Sequence, residues 1–461
     1  MTVLGIVTVV AIAGVWLFRR RWIQLVVGAT VAFPQTAAIV VDGNGFPLFY
    51  LAVVELAVLS VPSLLVALAR PRRGGTASGR FASDAIAVAL VVWAAVITIA
   101  GPRIFAGMRV FDPALGVDSQ VSNMSLLEPS LGNVAQLGYL TLGVVFLLAS
   151  GRLFPVGTRL LGAAFWVSLV LGAVRMLAEP VWPHALLQNM PGYAYATPER
   201  LSGTFYEPSV LGLYLVAAAC HFGVKLFQPG ARARVGSLIA LALVAIEFVA
   251  NGSGTALLGL VIVAAIGAAV LLVRQLRSPR FGVRPGAVIA ATLVLAGGLT
   301  QLPLLYELTI GSAERKASSF SYLARSLANQ RSWEIFQETA GLGVGLGSHR
   351  PSSLFFLVLS CLGLVGTILL VALVLVALRS ASRTPGAAPA GWALLGILVS
   401  GVIAVPDLSM PVIWVGLAVC LAGREAVARE TSGPREARPD AEFLVRTPGQ
   451  VPALEAAEIV K

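Results

Sequence analysis

Blocks of apolar residues, each about 20 long and so able to carry a helix across a hydrocarbon layer, follow one another along nearly the whole chain. No segment shows the period-two alternation of a membrane barrel strand. The pattern predicts helices near residues 3–18, 22–41, 47–69, 85–101, 134–150, 160–178 and 209–227. Further helices are predicted near 236–250, 254–273, 286–304, 352–378, 387–404 and 410–422. The fold class that follows is all-α: a polytopic integral membrane helical bundle of about 12–14 transmembrane helices with a long late periplasmic loop. Residues 1–422 form that helical domain, and residues 423–461, rich in Arg, Glu, Pro and Ala without apolar periodicity, read as a disordered cytoplasmic tail.

Composition fits the pattern. The 461 residues are 57% hydrophobic and 12% charged, with mean hydropathy +0.86, outside the balance of a soluble domain. The formal net charge of +11 does not point to nucleic acid, because the basic residues cluster in short loops beside helix ends. Those loops carry Arg19–Arg21, then Arg70, Arg72, Arg73 and Arg80, then Arg152 and Arg159. Lys225, Arg232 and Arg234 follow, then Arg274, Arg277, Arg280 and Arg284, and last Arg379 and Arg383. All fall on one side, which the positive-inside bias makes cytoplasmic, with the N-terminus periplasmic and the C-terminus cytoplasmic. The first apolar run has its arginines behind it, so it reads as a retained helix and not as a cleaved signal. The three cysteines, Cys220, Cys361 and Cys420, each lie inside an apolar run and read as core filler.

The opposite side receives the longer loops, near 102–133, 179–208 and 305–350, and two of them collect the polar residues. The first segment, RLSGTFYEPSVLG from Arg200, leads into the helix expected at Val210, with Glu207-Pro208 at its opening. A helix start presents unsatisfied N–H groups and the positive end of the dipole, which suits phosphate oxygens. Arg200 stands upstream as a bidentate donor; a structural Arg200–Glu207 ion pair is the alternative. The second segment, NQRSWEIFQETAGLGVGLGSHRPSS from Asn329, contains Arg331, four alternating glycines that include Gly345 and Gly347, then His349 and Arg350. Such glycines allow close backbone approach to an anion, and they also serve as ordinary hinge material. The run lacks the lysine and hydroxyl of a P-loop. Arg175 and Glu179, four apart at the end of the sixth helix, form an ordinary pair, although Arg175 could also face substrate. Glu55 lies inside the third helix, and Asp42 and Asp407 lie in short outer loops as candidate rim residues.

These segments together resemble the O-antigen ligase and O-antigen polymerase superfamily of bacterial envelope glycosyltransferases. The resemblance rests on the multispan layout, RLSGTFYEPS, NGSGTALLGL from Asn251, and GLGVGLGS followed by SCLGLVG from Ser360. Gly254 stands where members often carry arginine, and the histidine follows Gly347-Ser348 directly. The resemblance implies transfer of a glycan from undecaprenyl pyrophosphate to a glycan or lipid acceptor at the periplasmic face of the inner membrane, without a nucleotide sugar, metal or other cofactor. It implies a lipid-linked oligosaccharide as substrate and a chain-length regulator as a protein partner. Glu-Pro-Ser at Glu207 is closer to exopolysaccharide polymerases than to ligases. On this reading Arg200, Arg331, Arg350 and Arg175, with Gly345 and Gly347, bind the donor, and His349 or Glu207 acts as base. The competing class is a lipid-linked oligosaccharide transporter of flippase type, which would place polar broken helices at mid-membrane and show internal repeats.

Overall fold

The computed structural model describes residues 1–69, 78–112, 124–154, 156–191, 200–228, 230–277, 320–405 and 407–431. The chain opens with α1 (Val3–Phe18) and α2 (Ile23–Val31), then a hairpin of β1 (Ala37–Val41) and β2 (Asn44–Pro47). Next come α3 (Leu48–Ala69), α4 (Ser78–Ile104), a second hairpin of β3 (Arg109–Phe111) and β4 (Met124–Leu126), α5 (Leu131–Ala149), α6 (Thr158–Ala178) and the single turn α7 (His184–Leu187). Then follow α8 (Pro208–Leu226), α9 (Ala231–Asn251) and α10 (Gly254–Arg277). The last part holds α11 (Phe320–Glu338), α12 (Leu354–Leu357), α13 (Gly363–Arg383), α14 (Ala388–Ala404) and α15 (Pro411–Thr431).

Among the described residues, seven helical stretches are long and apolar enough to span a membrane, and four shorter apolar helices accompany them. The chain is thus an all-α multi-pass membrane protein, its backbone polar groups satisfied within each helix as a hydrocarbon solvent requires. Most of the core falls in one cluster, with two small satellites, and α8 packs between α9 and α14, α2 lies against α6, and α15 against α5. Large side chains meet small ones there: Trp414 fills the space left by Gly143, where any Cβ would overlap its indole. The outward faces stay apolar, with Val92, Val96, Val249, Val261, Ile368 and Val371 each about half exposed, as lipid contact demands. Cys361 and Cys420 are buried and unbridged.

Two expectations change. The span predicted over 22–41 is the short α2 followed by the β1–β2 hairpin, because Pro34 and the Asp42–Gly43–Asn44 turn break the apolar run. The late loop is not all loop either: its second half is α11, nineteen residues long, with polar and apolar residues mixed around the helix. The span expected at 286–304, the 305–319 part of that loop and the tail beyond 431 lie outside the described residues.

Candidate functional site

The first motif is fixed by its neighbours on every side. Asn251, the last residue of α9, donates from Nδ2 to Leu201 O at 2.7 Å and to Pro208 O at 2.8 Å, clamping both ends of the Arg200–Pro208 segment to one amide. Arg200 returns the connection, donating from Nε to Asn251 O and from Nη2 to Gly252 O, each at 3.0 Å. RLSGT and NGSGT, far apart in sequence, therefore form one unit. Arg175 is buried beneath them: its Nη1 donates to Ser202 Oγ at 2.8 Å and Gly203 O at 2.7 Å, and its Nε donates to Glu179 Oε2 at 2.8 Å. That guanidinium is consumed in holding the segment, with Trp182 beneath it. Thr204 donates to Ala32 O at 2.6 Å and the Tyr206 hydroxyl to Met190 O at 3.0 Å, which completes the clamp.

What this scaffold leaves available is Arg200 and Glu207. Arg200 is half-buried and uses two of its five N–H groups on backbone carbonyls. Burial, and then the nearby Arg325 of α11, push its guanidinium below its ordinary value. Among the described residues neither Arg200 nor Arg325 has a carboxylate partner, and the charge of Arg325 bears on Arg200. An anion bound near both guanidiniums would offset that repulsion. Glu207 stands at the residue before α8, exposed to solvent, without a side-chain bond to the helix amides, and its Oε2 accepts from Ser209 Oγ at 3.0 Å.

The second motif behaves differently. Its glycines give close packing and not a cradle for an anion. Gly345 sits at φ +91°, where a Cβ would fall 2.7 Å from Thr98 Cα, and Gly347 at φ +73° lies against the Gly132 carbonyl. Several amides are already engaged: Gly345 N donates to Cys361 O at 2.8 Å, Val344 N to Ser360 O at 2.9 Å and Leu346 N to Thr98 Oγ1 at 3.0 Å. Asn133 adds bonds to Leu346 O and Ser348 Oγ, anchoring the run to the start of α5.

His349 is 1% exposed and both ring nitrogens are engaged. Nδ1 accepts the Phe111 N–H at 3.2 Å, which places the proton of the neutral ring on Nε2; that N–H donates to Ser332 Oγ at 2.8 Å, and Ser332 in turn donates to Ala328 O at 2.7 Å. Burial, then the positive Arg331 nearby, push the imidazole down from 6.5 to about 3. No lone pair is left to take a proton, so the geometry gives His349 a structural task. Arg331 is likewise engaged, donating to Glu338 Oε1 at 2.7 Å, Glu334 Oε2 at 2.9 Å and Arg109 O at 2.9 Å. Arg350 donates its N–H to Phe111 O at 3.2 Å, and its charge bears on Asp407, whose carboxyl burial pushes up.

Of the residues expected at the site, Arg200 and Glu207 thus stand together at the clamped segment, while Arg175, Gly345, Gly347 and His349 hold the scaffold. Arg331 belongs to a separate cleft beside α11. Arg325 is the addition that sequence reading missed. Its segment reads as loop, so no helix face could be drawn to carry it towards Arg200. No family model and no curated protein matches the chain.

Proposed function

We propose that this protein is a membrane glycosyltransferase that polymerises or ligates glycan units carried on undecaprenyl pyrophosphate, acting at the periplasmic face of the bacterial inner membrane. The observation that supports it best is that two guanidiniums, Arg200 and Arg325, bear on each other at the clamped segment that leads through Glu207 into α8. A diphosphate seated between the two guanidiniums would have its charge stabilised as it grows, the task for which preorganised cations are suited. In the reaction the acceptor hydroxyl oxygen bonds to the anomeric carbon, the bond from that carbon to the pyrophosphate oxygen breaks, and its electron pair leaves on the pyrophosphate. The hydroxyl proton passes to the Glu207 carboxylate. Glu207 is favoured over His349 as base because its oxygens are solvent-facing and largely unengaged, whereas both nitrogens of His349 are occupied.

The test is direct. Purified protein in nanodiscs is given lipid-linked repeat units, and products are resolved by mass spectrometry. New glycosidic bonds are expected, lost on Glu207→Gln. Movement of the lipid-linked unit across vesicles without any new bond would replace this reading with the transporter.

A further inference from the structure

The charge balance of the Arg331 cleft distinguishes it from the Arg200–Arg325 pair. An open cavity of about 590 Å³, within the size range of small-ligand sites, lies between the end of α4 with the β3–β4 hairpin and one face of α11. Its polar lining is Arg109, Arg331, Glu334 and Glu338, and its apolar lining includes Phe105, Met108 and Met124. We propose that this cleft binds uncharged sugar residues of the acceptor glycan; the word acceptor rests on the transferase reading above, the sugar-binding chemistry does not.

Two cations and two carboxylates leave the lining with no net charge to hold a diphosphate, which argues against the anion role first expected of Arg331. A polyhydroxylated neutral ligand fits instead. Arg331 holds Glu338 through both carboxylate oxygens, and Gln330 Nε2 donates to Glu334 Oε1 at 3.1 Å, so both acids are fixed in orientation. Their side chains remain 45% and 41% exposed, with acceptor capacity left for hydroxyl donors. Arg109 is exposed and supplies N–H groups for hydroxyl oxygens. Met124, 46% exposed, with Phe105 and Met108, offers an apolar wall for the C–H face of a sugar ring.

The two walls are also tied together. Arg331 Nε donates to Arg109 O across the cleft, and His349 joins β3 to α11 through Phe111 and Ser332. His349 is then a positioning residue for this cleft: it sets the distance between the hairpin and α11 without touching the ligand.

The experiment applies the nanodisc protein, with no lipid-linked donor present, to an array of uncharged oligosaccharides from bacterial surface polysaccharides. A subset is expected to bind. Glu338→Gln removes a charged acceptor, and Met124→Asp puts a charge in the apolar wall at an exposed hairpin position; each should weaken retention about tenfold, the weight of one good polar contact. Inorganic pyrophosphate should not displace the glycan. Retention of no glycan above an unrelated membrane protein, retention in both variants unchanged from the parent, or displacement by pyrophosphate would overturn the proposal. The readout involves no bond formation, so glycan binding without transfer counts against the transferase reading alone, and transfer without cleft-dependent binding counts against the cleft alone.

Discussion

The two polar motifs at this end of the bundle have similar residue types and opposite structural fates. In the Arg200–Pro208 segment, Asn251 and Arg175 saturate the backbone and leave Arg200 and Glu207 with unused hydrogen-bonding capacity. In the Gly341–Ser353 segment most of the amides, both nitrogens of His349 and the close approaches of the glycines go into packing the run against α4, α5 and β3. The comparison teaches that a histidine or glycine in a conspicuous motif identifies a place in the fold before it identifies chemistry. Spare polar valence is the better sign of a site, because a buried group whose partners are complete has nothing left to give a substrate.

The comparison breaks first at Glu207. Glu207→Gln should slow bond formation by about 10²–10⁴ while thermal unfolding in detergent stays unchanged; an equal loss in His349→Gln would reverse the assignment of the two residues. Removing one of the paired cations, by Arg200→Gln or Arg325→Gln, should cost about 10²–10³ in the same assay, and titration with inorganic pyrophosphate should show weaker binding in both. On the other side, Gly347→Ala should destabilise the fold by about 2–4 kcal/mol, since a left-handed backbone and a blocked approach to Gly132 act together; unfolding temperature measures it.

A smaller effect is expected from His349→Gln: about 1–3 kcal/mol of stability, the cost of leaving a buried partner unsatisfied, read by the same unfolding curve. The last test is pH. His349 titrates at about 3 when folded against an ordinary 6.5, so the unfolded chain binds the extra proton between those values. Its contribution is intact above about pH 6.5 and declines as pH falls towards 3. Unfolding temperatures recorded across that window should drop more steeply for the parent than for His349→Gln.

Much of the architecture was legible in the chain. Helical blocks, their order and the gathering of polar residues into a few loops follow from apolar run length, which responds to the solvent and to little else. The α2 region escaped because a run that continues into a hairpin has the same hydropathy as one that continues as helix, and only Pro34 and the Asp42–Asn44 turn mark the difference. The α11 helix escaped because its apolar residues, among them Leu323, Leu327, Trp333 and Ile335, are scattered around it and form no apolar stripe to announce it. At the site, Arg200 and Glu207 could be chosen from their place before a helix start, but nothing local distinguished Arg200 from Arg331, or predicted Arg325.

By itself the sequence determined that this chain lies in a membrane as a helical bundle, and which segments hold its unusual polar groups. Tertiary structure alone decided which of those groups are satisfied: Arg175 by Ser202, Gly203 and Glu179, Arg331 by Glu334 and Glu338, His349 by Phe111 and Ser332. The physical reason is range. Hydropathy acts residue by residue along the chain, whereas a hydrogen bond depends on angstrom-scale positions of atoms that may be hundreds of residues apart, as His349 and Phe111 are.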